Sequence, residues 1–595
     1  MRQLTCNGNM ASGHNRRTII GRSSRTTQTD HYNMHDDQLI MLCQRLARVL
    51  DVYGGTETAL FSSLRQLVGP ILFNVNLVDL IGFEPGTFEF IGQQKRNRWP
   101  IDISQSIFND KSTQTCSISY MMTETVADRW QPNRVVSSDE STPTSYSKSN
   151  EDYSFELSLL LTWLGYGSEL RQARVDMYKK SDTQHTARSK SDALITAGSK
   201  GEGLSCVFES DRDTIFVLHM AIALEEGINL RTIPYDTTVF RMETDGVYPG
   251  HCKLLFQRLS HTLQDYIPKA LCEDGRGRAI LSSDLFVDIS LPTERAPDEV
   301  RHKRAGPSSP CTLGVGLEMD RVPVLRCQCP SILKRWANRP RFWPSPEVVQ
   351  KVVLMGAFVS PVGFKGSLTK NVEWRICFNE GENVLVSNLN DTQIKMYVLL
   401  KMIVKSVIKP LHKEITSYTL KNIVFWVAET NPQVLFDETS LLFWLHEGLG
   451  KLRTAITKKN LEYYMIPERN LMANCDLQNE QEKIWVSTIT DIINEGPRLV
   501  LRLSKLRNAI VSYPEPLRWY CKRRTELEIL NLAWLNRDPE CRDERGVMNE
   551  SDNVLKAIMI RQTAIVREIR ETLFMEGIAV MKEDHEYLIH IRMLM

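Results

Sequence analysis

Gly198, Ser199, Lys200, Gly201, Glu202 and Gly203 form a glycine-rich run, and Asp211 and Asp213 follow shortly after it. If 211–218 is a strand, its two-residue period sends both Asp side chains to one face, the face that Ile215 and Val217 share farther along. Neighbouring carboxylates repel one another unless a cation neutralises them. A hard, oxygen-seeking ion such as Mg²⁺ is the natural occupant, and it holds substrate phosphates as readily as protein carboxylates. A glycine-rich turn brings backbone N–H groups close to a phosphate, and the Ser199 hydroxyl adds a donor. The run is not the GxxxxGK[ST] phosphate loop, because no Lys followed by Ser or Thr stands at its second glycine. By residue chemistry alone the same stretch also reads as a polar hairpin with solvated acids on either side of Arg212. A third acid at the same place would separate the two readings.

These residues need a scaffold, and the chain is long enough for several domains. Its 595 residues are about four times the usual domain length of roughly 150. Hydrophobic residues make up 42% and charged residues 24%, a globular composition, and 73 Lys plus Arg against 72 Asp plus Glu leave no global excess that would mark a nucleic-acid binder. The opening MRQLTCNGNM carries no apolar signal core, thirteen Cys are too sparse for a secreted disulfide framework, and no apolar run is long enough to span a bilayer. The expected setting is the cytoplasm, or the nucleus as well.

Composition divides the chain as follows. Residues 1–36 form a disordered tail whose first 30 residues hold five Arg against Asp30, and 37–130 form a small helical region with Gly54 and Gly55 closing its first helix. The stretch 131–152 contains SSDESTPTSYSKSN and reads as a flexible linker. From 153 to 345 helix and strand alternate: a long helix at FELSLLLTWL, a strand pair around the glycine run, a strand pair running into a helix at VFRMETDGVYPGHCKLLFQRL, and a surface loop over 289–316. From 346 to 510 the pattern is helical, including DTQIKMYVLLKMIVKSVIK, capped by Asn390 or Asp391, and a helical extension occupies 511–595. The fold class is α+β and two-lobed, with the cleft between a mixed-sheet lobe and a helical lobe as the default ligand site.

In sequence order, ITAGSKGEGL, SDRD, GPSSP, MDRVPVLRC, WPSPEVVQKV, VEWRICF, LNDTQIKMYVLLKMI and SYTLKNIVFW resemble the cyclic GMP-AMP synthase-like nucleotidyltransferases and their male-abnormal developmental relatives, over about 154–510. The resemblance implies a bilobed nucleotidyltransferase. Its Gly-Ser turn falls on Gly198 and Ser199, its paired acids on Asp211 and Asp213, and its third acid, by the context before VPVLRC, on Asp320. It further implies two Mg²⁺ (or Mn²⁺) ions on these three carboxylates, ATP and GTP as substrates, a base-stacking Tyr418 beside Ser417, a phosphate-facing Lys401 and a substrate-contacting Arg375. Each of the last group has a plainer alternative, Tyr418 packing between helices and Lys401 lying on a solvated face.

The resemblance departs from the mammalian cyclic GMP-AMP synthase in one respect. That enzyme carries a zinc-binding insertion in its helical lobe, whereas 342–473 here contain Cys377, His412 and His446 and no other Cys or His, too few for a four-ligand site. Invertebrate-type members lack the insertion too, and no zinc is expected. Arg301, Lys303, Arg304, Lys334, Arg335, Arg339 and Arg341, with a basic helix from Arg498, offer a surface for double-stranded RNA or another nucleic-acid activator, or simply a solvated rim. Two functions follow: synthesis of a cyclic dinucleotide messenger for innate immune sensing, or a catalytically silent interaction or developmental scaffold of the same fold. The three carboxylates favour the first, because an interaction module has no use for mutually repelling charges.

Overall fold

A computed structural model describes residues 144–575, apart from short stretches at 189–191, 207–208, 261–266, 291–298, 314–316, 409–414, 474, 476–478, 512–515, 543–548 and 550. The tail and helices expected before residue 131 lie outside the described residues. Helix α1 (Thr144–Leu161) opens inside the Ser/Thr-rich stretch expected to be a linker, because the helix that buries Leu157, Leu160 and Leu161 extends outward beyond them. It leads through a wide helical turn (Thr162–Tyr166) into α2 (Ser168–Arg188), bending at Gly165, whose φ of 87° suits glycine.

The strands are β1 (Asp192–Ala197), β2 (Arg212–Leu224), β3 (Thr238–Glu243), β4 (His251–Arg258), β5 (Leu271–Glu273) and β6 (Ala279–Leu281). After α3 (Ser283–Ser290) come β7 (Glu299–Arg301), β8 (Ser309–Leu313) and β9 (Leu317–Gln328). Then follow α4 (Pro330–Ala337), α5 (Pro346–Met355), β10 (Ala357–Ser360) and β11 (Glu373–Cys377). All eleven belong to one sheet, nine of them ordered β1-β2-β3-β4-β11-β10-β9-β8-β7 with β6 paired to β4 and β5 to β6, and a further β2–β9 pairing closes six of them, β2, β3, β4, β11, β10 and β9, into a ring. β2 runs parallel to β9 along most of its length, while its other edge takes β1 first and β3 later.

Two segments differ from the sequence expectation. HCKLLFQR, expected to enter a helix, is strand β4, because pairing with β3 and β11 on its two edges outweighs local propensity and buries Cys252 and Leu254 on one face. Part of the expected loop at 289–316 is the β7–β8 hairpin, turned by Gly306 and paired to β9 through β8. Its Pro and charged residues suit an exposed sheet edge.

The helical lobe comprises α6 (Asn379–Ser387), α7 (Asp391–Ile403), α8 (Ser417–Thr430), α9 (Leu441–Lys458) and α10 (Asn479–Glu495). The chain continues as α11 (Ser504–Val511), α12 (Leu517–Glu540) and α13 (Asn553–Met575). One hydrophobic core runs without a break from the sheet, through Phe240, Leu254 and Trp374, into the helices, through Leu399, Val424 and Leu445. A second core, including Met177, Tyr178, Leu530, Ile558 and Ile565, joins α2 to α12 and α13. Together these elements make a two-lobed α+β fold.

Helix α7 starts at a capping box. The Asn390 side chain accepts from Gln393 N at 2.9 Å, Gln393 Oε1 accepts from Asn390 N at 2.9 Å, and Asn390 Nδ2 donates to Phe436 O at 3.0 Å. Asn390→Ala should destabilise the protein by about 1–2 kcal/mol. Urea unfolding should show a lower midpoint with an unchanged slope, and an unmoved midpoint would contradict the capping role.

Candidate active site

β2 begins at Arg212, so Asp213 is its second residue and Asp211 stands just before it. The parallel register sets Asp213 opposite Asp320 on β9, and residues paired in this way project to the same face. One carboxylate oxygen from each of Asp211, Asp213 and Asp320 lies within 4.8 Å of the others. The third acid sought in the sequence is therefore beside the first two.

Arg212 points the other way. Its Nη2 donates to Thr196 Oγ1 at 2.8 Å and to Asp182 Oδ1 at 3.0 Å, and its guanidinium lies 5.2 Å from the centre of the Tyr178 ring. Asp182 in turn accepts from the Thr196 amide and hydroxyl at 2.6 and 2.7 Å, which ties α2 to the end of β1. The alternation of a regular strand thus separates two acids in front from one neutralised cation behind.

β1 ends at Ala197, paired with Asp213, and the single helical turn Gly198–Gly201 follows at once. Gly198 has φ of 61°, and a Cβ there would sit 1.9 Å from Asp213 Oδ2, so neither the backbone nor the space admits another residue. Ser199 Oγ accepts from Lys401 Nζ at 2.5 Å, which brings α7 onto the turn. Burial holds Lys401 below its usual range and pushes Lys200 down to about 8.

A cavity of about 530 Å³ opens over these groups. Gly198, Ser199, Asp211, Asp213, Arg375, Lys401, Ser417 and Tyr418 all line it, so these residues, separated widely in sequence, converge with Asp320 at its margin. Arg375 comes from β11, where it pairs with Ser360 and His251. Ser417 and Tyr418 are the first two residues of α8.

Three lining residues, Lys421, Glu382 and Glu202, were not assigned a role from the sequence. Lys421, one turn after Tyr418, donates to Glu202 at 3.0 Å and to Glu382 at 2.7 Å, and all three are buried. Glu382 also accepts from Tyr418 Oη at 3.0 Å and Tyr463 Oη at 2.8 Å. Despite burial, Lys421 and the two hydroxyls hold the Glu382 carboxyl below its usual range. The only available hint was Glu202 between two glycines; nothing in the sequence tied Glu382 to Lys421.

The donor set suits a hard divalent cation: three oxygen ligands, close together, beside Lys401 and Arg375 for phosphate charge. Burial, the adjacent Asp211 and Asp320 charges and Glu202 push Asp213 up to about 6, with Lys421 opposing. The expected nucleic-acid surface is less open. Arg301, Arg304, Arg335, Arg339 and Arg341 each have an acidic partner, among them Glu299, Asp284, Glu468 and Glu429. Among the described residues, no helix is long and apolar enough to cross a membrane.

Two family models match the chain, the Mab-21 protein nucleotidyltransferase domain over residues 235–388 and the Mab-21 protein HhH/H2TH-like domain over residues 392–489. The first spans Asp320, Arg375 and Glu382; the second spans Lys401, Ser417, Tyr418 and Lys421. No curated protein matches.

The Asp213 shift fixes a pH dependence. Its folded value near 6 exceeds the ordinary value of 3.8, so between these limits the folded state keeps a proton that the unfolded chain has lost. Stability then falls as pH rises through that window, by at most about 3 kcal/mol. Asp213→Asn should raise the melting temperature of the metal-free protein near pH 8 and have little effect near pH 4. Equal shifts at both pH values would show that charge repulsion is not the cause.

Proposed function

From the premise that this chain belongs to the Mab-21 family of nucleotidyltransferases, we propose that it joins ATP and/or GTP into a cyclic dinucleotide, a second messenger of innate immune sensing. One observation carries the reading: Asp213 faces Asp320 in register, with Asp211 alongside and Arg212 turned away. Asp211, Asp213 and Asp320 would hold Mg²⁺ or Mn²⁺. Such ions, when bound, neutralise phosphate charge and make a ribose hydroxyl easier to deprotonate.

The chain's own residues bind and orient. The turn at Gly198 and the Ser199 hydroxyl receive a phosphate tail, and Lys401, already bonded to Ser199, adds positive charge to it. The Tyr418 hydroxyl donates to Glu382, which fixes the ring at the cavity to stack on a base. Arg375 projects into the same cavity as a planar donor for a second nucleotide. In the reaction an acceptor ribose oxygen attacks the α-phosphorus, the bond to the β-phosphate oxygen breaks, pyrophosphate departs and the hydroxyl proton is lost to solvent. A second such step closes the ring.

In this reading residues 153–345 are the catalytic lobe and 346–510 the helical lobe, acting in the cytoplasm. Activation by double-stranded RNA or another nucleic acid would compete with existing ion pairs at Arg301, Arg335 and Arg339.

Pure protein incubated with ATP, GTP and Mg²⁺ or Mn²⁺, alone and with duplex RNA or DNA, should release pyrophosphate and yield a product resolvable by chromatography and mass. Changing Asp211 and Asp213 together to Ala should lower the rate by at least about 100-fold. A folded native protein that makes no pyrophosphate under any of these conditions would favour the silent scaffold instead. Gly198→Ala should also cost about 100-fold, because the new Cβ must displace the Asp213 carboxylate. Wild-type turnover in that variant would show that the turn does not set the carboxylate position.

A further inference from the structure

Gly203 at the end of the glycine turn and Glu209 just before Asp211 are each held by a charged side chain whose bonds reach helices beyond residue 500. On the turn side stands Arg174 of α2, 2% exposed. Its Nη1 donates to Gly203 O at 3.0 Å and to Gly165 O at 2.7 Å, while Nε and Nη2 donate to Glu528 of α12 at 2.6 and 2.8 Å. One guanidinium therefore links the end of the glycine run, the bend between α1 and α2, and the C-terminal helices. Arg524, one turn before Glu528, reinforces the bend by donating to Trp163 O at 2.9 Å. Gly203 has φ of 72°, and a Cβ there would lie 2.4 Å from Arg171 O, so its carbonyl is held by a backbone that α2 closely confines.

On the Asp211 side stands Glu209. It accepts from Lys505 Nζ of α11 at 2.6 Å, from Tyr166 Oη at 2.8 Å and from Cys206 N at 3.1 Å. Lys505 also donates to Tyr166 Oη at 2.9 Å. These contacts keep the Glu209 carboxyl ionised well below its usual range despite burial, and burial beside it pushes Tyr166 up to about 12. Glu209 is two residues from Asp211, and Gly203 closes the run that Gly198 begins.

We infer that the C-terminal helices are a positioning element for the active site: Glu528 through Arg174, and Lys505 through Glu209, fix Gly203 and Glu209, and so the glycine turn and Asp211 beside Asp213. Neither Lys505 nor Glu528 falls within a matched family domain, since the second model ends at residue 489. A buried guanidinium bonded in two directions transmits strain, because loss of one partner leaves its charge uncompensated and frees it to leave the other. Lys505 and Glu528 touch no reacting atom in this scheme; they act through backbone position.

The kinetic consequence rests on the function proposed above, but the positioning itself does not, and hydrogen exchange on the full chain reads it directly. The amides of Gly203, Leu204 and Cys206 bond to Lys200 O, Ser199 O and Glu209 Oε2. Their exchange should rise at least about tenfold in Lys505→Met and Glu528→Gln and stay within about twofold of native in Lys505→Arg, which keeps the charge. If Glu528→Gln does not fold, Lys505→Met decides the matter alone. Exchange that rises only within α11, or a Lys505→Arg protein as loose as Lys505→Met, overturns the inference. In the nucleotide assay Lys505→Met should lower kcat with KM little changed. A native protein inert towards nucleotides would sink the functional reading while leaving the exchange result to judge the anchors.

Discussion

Three carboxylates within 4.8 Å of one another are held where they repel, and the rest of the fold is arranged around that constraint. At an effective dielectric constant near 20, each unit-charge pair at such a distance costs on the order of 3–4 kcal/mol if both members are ionised. The backbone supplies the restraint. β2 and β9 share ten register pairs along a parallel ladder, and the ring of six strands leaves neither strand free to slide. A slip of one residue would turn Asp213 to the rear and bring Arg212 forward, so register and charge placement are a single fact.

The rear of the strand and the floor of the cavity resolve charge in different ways. Behind β2, Arg212 meets Asp182 with Thr196 and Tyr178, which removes the cation that would otherwise fill the space between the front acids. On the floor, Lys421 sits between Glu202 from the glycine run and Glu382 from α6, joining the two lobes through buried charge. That triad and its two tyrosines leave few polar groups idle, the condition under which a buried network orders its neighbourhood rather than loosening it. Tyr418 gains its orientation from this network.

The legible part of the site was local. Alternation in Asp-Arg-Asp foretold two acids on one face, and the glycine run foretold a turn beside them. Asp320 was found only by the company of VPVLRC, since no spacing rule relates residue 213 to residue 320; the parallel ladder that unites them is a tertiary fact. The Lys421–Glu382 pair and its link to Glu202 were invisible for the same reason, each residue ordinary in its own helix or turn. Helix α7 was legible to within one residue of its cap, because capping is local chemistry. Strand β4 was not, because KLLFQR has a helical look until two neighbouring strands compete for it.

This division between local and tertiary signals explains why the sequence read the basic helix from Arg498 as a nucleic-acid surface, although its Lys505 is paired with Glu209. Arg174, Glu528, Lys505 and Glu209 are four charged residues on four separate segments, and each alone is what a solvated helix face or loop would carry. Their burial is intelligible only as pairs: an isolated charge in such a place would be expelled or neutralised, whereas each pair here also takes up backbone or hydroxyl groups around the glycine run. The repelling acids in front require a rigid mount, and a mount made of hydrophobic contacts alone would permit small rotations of the segment that bears Asp211. Directional, charge-assisted bonds at both sides of that segment restrict those rotations, which is why buried ion pairs occur behind the turn where apolar packing would have sufficed for stability.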